Sequence, residues 1–62
     1  MKNRLGLVLL AMRMHQNELA RKINVRYTTV NYYVHGERMP SVEMALKIAK
    51  ALGVKVEDIW EV

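Results

Sequence analysis

The stretch Gln16 to Gly36, QNELARKINVRYTTVNYYVHG, constrains this chain more than any other. It reads as two short helices joined by a tight turn. In the first, Leu19, Ala20 and Ile23 recur at helical spacing on one face; Asn24 is suited to the left-handed conformation in which helices end, and Val25 is apolar at the turn. In the second, Val30 and Tyr33, with Val34 beside them, face inward, while Tyr27, Thr28, Asn31, Tyr32 and His35 fall on the other side of the helical period. The small Ala20 stands at the predicted crossing, where two helices meeting steeply need a close backbone approach.

Composition limits what can surround this pair. The 62 residues are read as one domain, 1–62, near the lower size at which a chain builds a core without staples. With no cysteine, neither disulfides nor a zinc-thiolate centre can contribute. Apolar residues make up 52% of the chain and aromatic ones only 6%, so the predicted core is aliphatic. Phe is absent and Gly and Pro are few, which argues against short strands linked by turns. The predicted class is all-α.

The net charge of +4 is unevenly placed. Residues 1–40 hold seven basic side chains against two acidic, and residues 41–62 hold three against four. The basic half contains the two short helices, an asymmetry that phosphate binding predicts; a solvated basic surface without a partner is the plainer reading.

MKNR followed by LGLVLLAM has the outline of a secretion signal, but Arg13, Met14 and His15 supply no small-residue cleavage site. The apolar run is also far short of the roughly 18 residues of a membrane span. A first helix over about Asn3 to Arg13 is predicted instead, with Leu5, Val8 and either Leu9 or Met12 packing inward. Leu7, Leu10 and Ala11, together with Met12, extend the apolar surface around most of its circumference. A small domain cannot cover such a helix on all sides, so these residues mark either a surface for a second copy of the chain, another protein or a membrane face, or an aggregation liability. Gly6 within this helix costs about 1 kcal/mol relative to Ala.

The second helix starts at Gln16, with His15 as a poor cap and Glu18 placed to reach back. Arg26 and Lys55 are likewise weak caps. The loop GERMPS leads to Ser41, which is predicted to cap a fourth helix running to about Leu52, with Met44, Ala45, Ile48 and Leu52 at helical spacing and Gly53 as its stop. A last turn of helix is predicted near Glu57 to Trp60, with Trp60 either in the core or at a dimer contact. Catalytic readings find no support. His15 and His35 lie apart without carboxylates at ligand spacing, and the chain has no glycine-rich phosphate loop and no paired nucleophile and base, so no enzyme, metal or cofactor is expected.

The ordered series Gln16, Glu18-Leu19-Ala20, Val25, Thr29-Val30, Gly36, Arg38, Pro40-Ser41 and Glu43 to Ile59 resembles the Cro and phage repressor-like (xenobiotic response element type) helix-turn-helix family, over nearly the whole chain. The resemblance implies a compact five-helix domain of the lambda repressor-like type, its helix-turn-helix formed by helices 2 and 3. It also implies a cytoplasmic transcriptional regulator that binds a double-stranded DNA operator as a homodimer. By the same resemblance Gln16 and Asn17 meet the DNA backbone at the start of helix 2. Arg26, Tyr27, Thr28, Thr29, Asn31 and Tyr32 lie on the reading helix, and Arg38 contacts phosphate from the loop. Asn and Gln pair bidentately with adenine, Arg with guanine or phosphate, and a Thr methyl packs on thymine.

The chain departs from the family at several places. Members commonly pair an Arg at the position of Leu9 with a Glu at that of Val34; both are apolar here, a coherent joint change that predicts contact between them. Tyr27 and Tyr32 stand where slender polar side chains are usual, and such aromatic surface suits stacking or phosphate bonding, but equally protein binding. The alternative reading is therefore the same scaffold with its surface altered, by divergence or engineering, to bind a protein partner or to self-associate through Leu7, Leu10, Ala11, Met12 and the Tyr-rich helix.

Overall fold

Apolar side chains at helical spacing draw five short helices around one cluster of buried residues. The structure, a computed structural model, describes residues 2–61. The elements run β1 (Lys2–Asn3), α1 (Leu5–Ala11), α2 (Gln16–Ile23), α3 (Tyr27–His35), α4 (Val42–Leu52), α5 (Val56–Ile59) and β2 (Trp60–Glu61). The centre is aliphatic: Leu5, Leu19, Val30, Ile48 and Ile59 are fully enclosed, with Leu9, Ala20, Ile23, Ala49, Leu52, Tyr33 and Trp60 around them. The fold is all-α in class, with α2 and α3 forming the helix-turn-helix. No helix among the described residues is long and apolar enough to cross a membrane.

The first helix and the last differ from the sequence reading, and the start of the one and the end of the other are corrected for one cause. The first helix spans Leu5–Ala11 rather than Asn3 to Arg13, and Trp60 is extended rather than helical. Asn3 and Trp60 face one another in an antiparallel pair, with Lys2 opposite Glu61. The Arg4 N–H donates to the Ile59 carbonyl at 2.7 Å, and the Arg4 guanidinium pairs with Glu61. This ladder joins the two ends of the described chain. Strands of two residues are too short to leave an alternating pattern in the sequence. At its other end α1 stops because Arg13 has φ 55°, a left-handed value that cannot continue a helix.

Within α1, Leu9 takes the inward position and Met12 is exposed. Leu7, Leu10 and Ala11 are exposed as well, so the apolar surface on this helix stands uncovered in the isolated chain. Leu9 lies in the core cluster, and the partly buried Val34 packs against that cluster. Gly6 lies close to α3: a Cβ at this position would sit 3.3 Å from Val34 Cγ1, tighter than an ordinary contact, so Val34 would have to give by a few tenths of an ångström. Trp60 is buried in the core; its indole Nε1 has no hydrogen-bond partner among the described residues.

Candidate nucleic-acid interface

The turn between α2 and α3 is built by backbone groups that would otherwise end unpaired. Asn24 adopts φ 58°, ψ 49°, and the Val25 N–H returns to the Ala20 carbonyl at 3.0 Å, closing the end of α2. Ala20 is buried at this point, where a larger side chain would hold the two helices apart. Val25 packs against the core and sets the angle at which the chain enters α3. Arg26 is extended, and its carbonyl receives both the Thr29 and the Val30 N–H, so α3 starts on backbone bonds while the Arg26 side chain remains free of capping. His15 behaves similarly at the start of α2. It gives no side-chain cap, but its N–H donates to Glu18 Oε1 at 3.2 Å, the reach-back half of a capping box.

These local choices place the candidate residues. Val30 and Tyr33 hold α3 to the core, which turns Arg26, Tyr27, Thr28 and Tyr32 outward, all of them exposed. Thr29 and Asn31 are half-buried, and Asn31 lies on the edge of α3 that faces α2. At the start of α2, Asn17 is exposed and Gln16 half-buried, and the Asn31 side-chain amide donates from Nδ2 to Gln16 Oε1 at 3.1 Å. That bond joins two residues expected to work separately. It fixes the orientation of both amides and leaves the Asn31 Oδ1 and the Gln16 Nε2 hydrogens for a further partner, an acceptor from α3 beside a donor from α2.

Tyr32 and Arg38 are also brought together. The Arg38 guanidinium carbon lies 4.9 Å from the centroid of the Tyr32 ring, a cation–π arrangement worth about 0.5–1 kcal/mol at an exposed site. The Tyr32 carbonyl takes the Glu37 N–H at 2.9 Å and the Arg38 N–H at 3.4 Å, while Gly36, at φ 74°, turns the chain. The loop that carries Arg38 is thereby tied to the outer face of α3. Tyr32 thus supports a cation, a role that residue type alone did not disclose.

One contributor escaped the sequence reading altogether. Asn3 of β1 donates from Nδ2 to the Tyr33 carbonyl at 2.7 Å, satisfying a carbonyl near the end of α3, and its Oδ1 accepts the Leu5 N–H at 3.0 Å. It holds the reading helix from behind while starting α1. An Asn two residues before an apolar helical run is the local signal for the second bond; the first spans thirty residues and has none. By contrast, Leu7, Leu10, Ala11 and Met12 take no part in this α2–α3 surface, since they belong to α1 and its cap.

A sequence profile of the helix-turn-helix family matches residues 7–59. Among curated proteins, the chain is similar to an uncharacterized HTH-type transcriptional regulator of Methanocaldococcus jannaschii, 40% identical over 60 residues that cover 97% of this chain and 91% of that protein. A second relative, an uncharacterized HTH-type transcriptional regulator of Archaeoglobus fulgidus, is 40% identical over 47 residues, 76% of this chain and 66% of its own. The vegetative-specific protein H7 of Dictyostelium discoideum is 46% identical over 46 residues, 74% of this chain and 44% of that protein.

Proposed function

From the premise that this chain belongs to the helix-turn-helix family of the Cro and phage repressor type, a class of DNA-binding transcriptional regulators rather than enzymes, we propose that residues 1–62 act as one domain that binds a double-stranded DNA operator as a homodimer in the cytoplasm. The carrying observation is the outward row on α3, Arg26, Tyr27, Thr28 and Tyr32, flanked by the Gln16–Asn31 amide pair and the Arg38 loop. A helix with one face buried and the other polar fits the major groove, provided its ends are held to the DNA backbone. In this reading Gln16, Asn17 and Arg38 meet phosphates and set the register. Arg26, Thr28, Thr29 and Asn31 face base edges, and Tyr27 and Tyr32 lie against the sugar-phosphate wall. A two-fold pair of such domains matches a palindromic site.

Selection from a randomised double-stranded DNA pool at two salt concentrations tests this. A palindromic site whose affinity falls steeply with salt is the expected result; Arg38→Ala lowers the salt slope by about one, and Arg26→Ala relaxes specificity at the base it faces. Sequence-blind binding by folded protein would overturn the operator reading. A second reading is favoured by α1, where Leu7 and Leu10 expose 65% and 74% of their surface. That apolar face suits a protein partner, and Leu10→Glu would abolish such a complex while leaving DNA affinity unchanged.

A further inference from the structure

The core takes one face of α4 and leaves another apolar strip in solvent. Ile48, Ala49 and Leu52 point into the core, while Val42 and Leu46, one turn apart, expose 80% and 58% of their surface. Met39, in the loop just before the helix, exposes 51%. On the same side of α4 stand Glu43 and Lys50, two helical turns apart with Leu46 between them. Neither has an ionic partner among the described residues, where Arg4–Glu61 is the one ion pair. Lys47, the next residue along, is rotated from Leu46 by roughly 100° and stands off the strip.

We propose that this strip is where two copies of the chain meet, α4 against α4 in antiparallel fashion across a two-fold axis beside Leu46; the assignment rests on the homodimer reading above. Such an axis brings whatever precedes Leu46 in one copy opposite whatever follows it in the other. Glu43 therefore meets Lys50 of the second copy, and Lys50 meets the second copy's Glu43, while the two Leu46 side chains pack at the centre. Val42 and Met39 widen the apolar contact on either side. The match is self-complementary in both charge and hydropathy, as an isologous interface requires.

The apolar face of α1 lacks this property. No acidic residue lies in that helix; Arg13 flanks one end and Arg4, already paired with Glu61, the other, so the helix itself supplies no charge pair across a two-fold about Leu7 and Leu10. The α4 strip is also the better placed, because Met39 directly follows Arg38 in the loop leaving α3. One crossing of an 11-residue helix buries less than the ~800 Å² per partner of a standard interface. The pair is accordingly weak in free solution and is completed on DNA, where adjacent half-sites raise the local concentration of the second copy.

The chain has no cysteine, so single thiols report contact cleanly. Leu46→Cys is expected to form a disulfide-linked dimer on mild oxidation at millimolar protein or on the duplex recovered by selection, and Leu10→Cys is not. Glu43→Lys and Lys50→Glu should each weaken self-association about tenfold in sedimentation, and the double swap should restore it. All four substituted positions but Leu10 lie on the exposed side of one helix, and circular dichroism checks that every variant is folded. Crosslinking by L10C with none by L46C, or a double swap that fails to restore association, overturns the α4 assignment and leaves the homodimer standing. A mass that stays monomeric for every variant, with and without duplex, overturns both.

Discussion

Replacing Asn3 with Ala should be among the costliest changes available to a half-exposed residue of this chain. Asn3 makes two short bonds, Nδ2 to the Tyr33 carbonyl at 2.7 Å and Oδ1 from the Leu5 N–H at 3.0 Å, and a longer one from Nδ2 to the Val34 carbonyl at 3.5 Å. A net value of about 1 kcal/mol for each short bond gives about 2 kcal/mol in all, although the Tyr33 carbonyl keeps the Gly36 N–H at 3.3 Å. At 0.05–0.15 kcal/mol per residue, a chain of this length has roughly 3–9 kcal/mol to lose. The midpoint of thermal unfolding should then fall by roughly 8–16 °C. Urea unfolding followed by circular dichroism measures this directly, with the slope m unchanged if the native state keeps its compactness. Asn3→Asp separates the two bonds. The carboxylate still accepts the Leu5 N–H but sets a negative charge against the Tyr33 carbonyl, so it should recover less than half of the loss. A loss under about 0.5 kcal/mol for Asn3→Ala, or parental stability for Asn3→Asp, would refute the view that Asn3 holds the end of α3.

Two further outcomes follow from the geometry of the turn and of the amide pair. Asn24→Gly, at φ 58°, should be within about 0.5 kcal/mol of the parent, whereas Asn24→Ala should lose about 1 kcal/mol to left-handed strain; urea midpoints for the two variants decide it. In a double-mutant cycle on operator binding, Gln16→Ala and Asn31→Ala should be coupled by about 1 kcal/mol, because each removes the partner that orients the other. Additive losses would mean that the 3.1 Å bond has no part in recognition.

The parts of this protein that could be read from the chain are those written in local spacing. Leu19, Ala20 and Ile23, followed by Asn24, specify a helix and its stop within a few residues, and Ser41 with Gly53 does the same for α4, where Ser41 Oγ accepts the Met44 N–H at 3.1 Å. Covalent neighbours supply such signals, so they survive without knowledge of the rest of the molecule. The set Tyr27, Thr28, Asn31, Tyr32 and His35 followed from the same period, and all but the half-buried Asn31 are exposed.

Pairings between distant segments carried no such mark. Arg4 and Glu61, 57 residues apart, and Asn3 and Tyr33, thirty apart, meet only once every helix is docked. Amide type did not reveal that Asn31 would bond Gln16, nor ring type that Tyr32 would carry Arg38. Composition likewise could not decide which apolar residues find cover. The surplus on α1 was visible because it exceeded what one helix face can bury, but Val42 and Leu46 of α4 lie at unremarkable spacing and are exposed because the core is filled from the opposite side by Ile48, Ala49 and Leu52. Helical periodicity names the candidates for burial. Which of them is buried depends on how much surface the neighbouring helices can cover, a property of their packing in three dimensions.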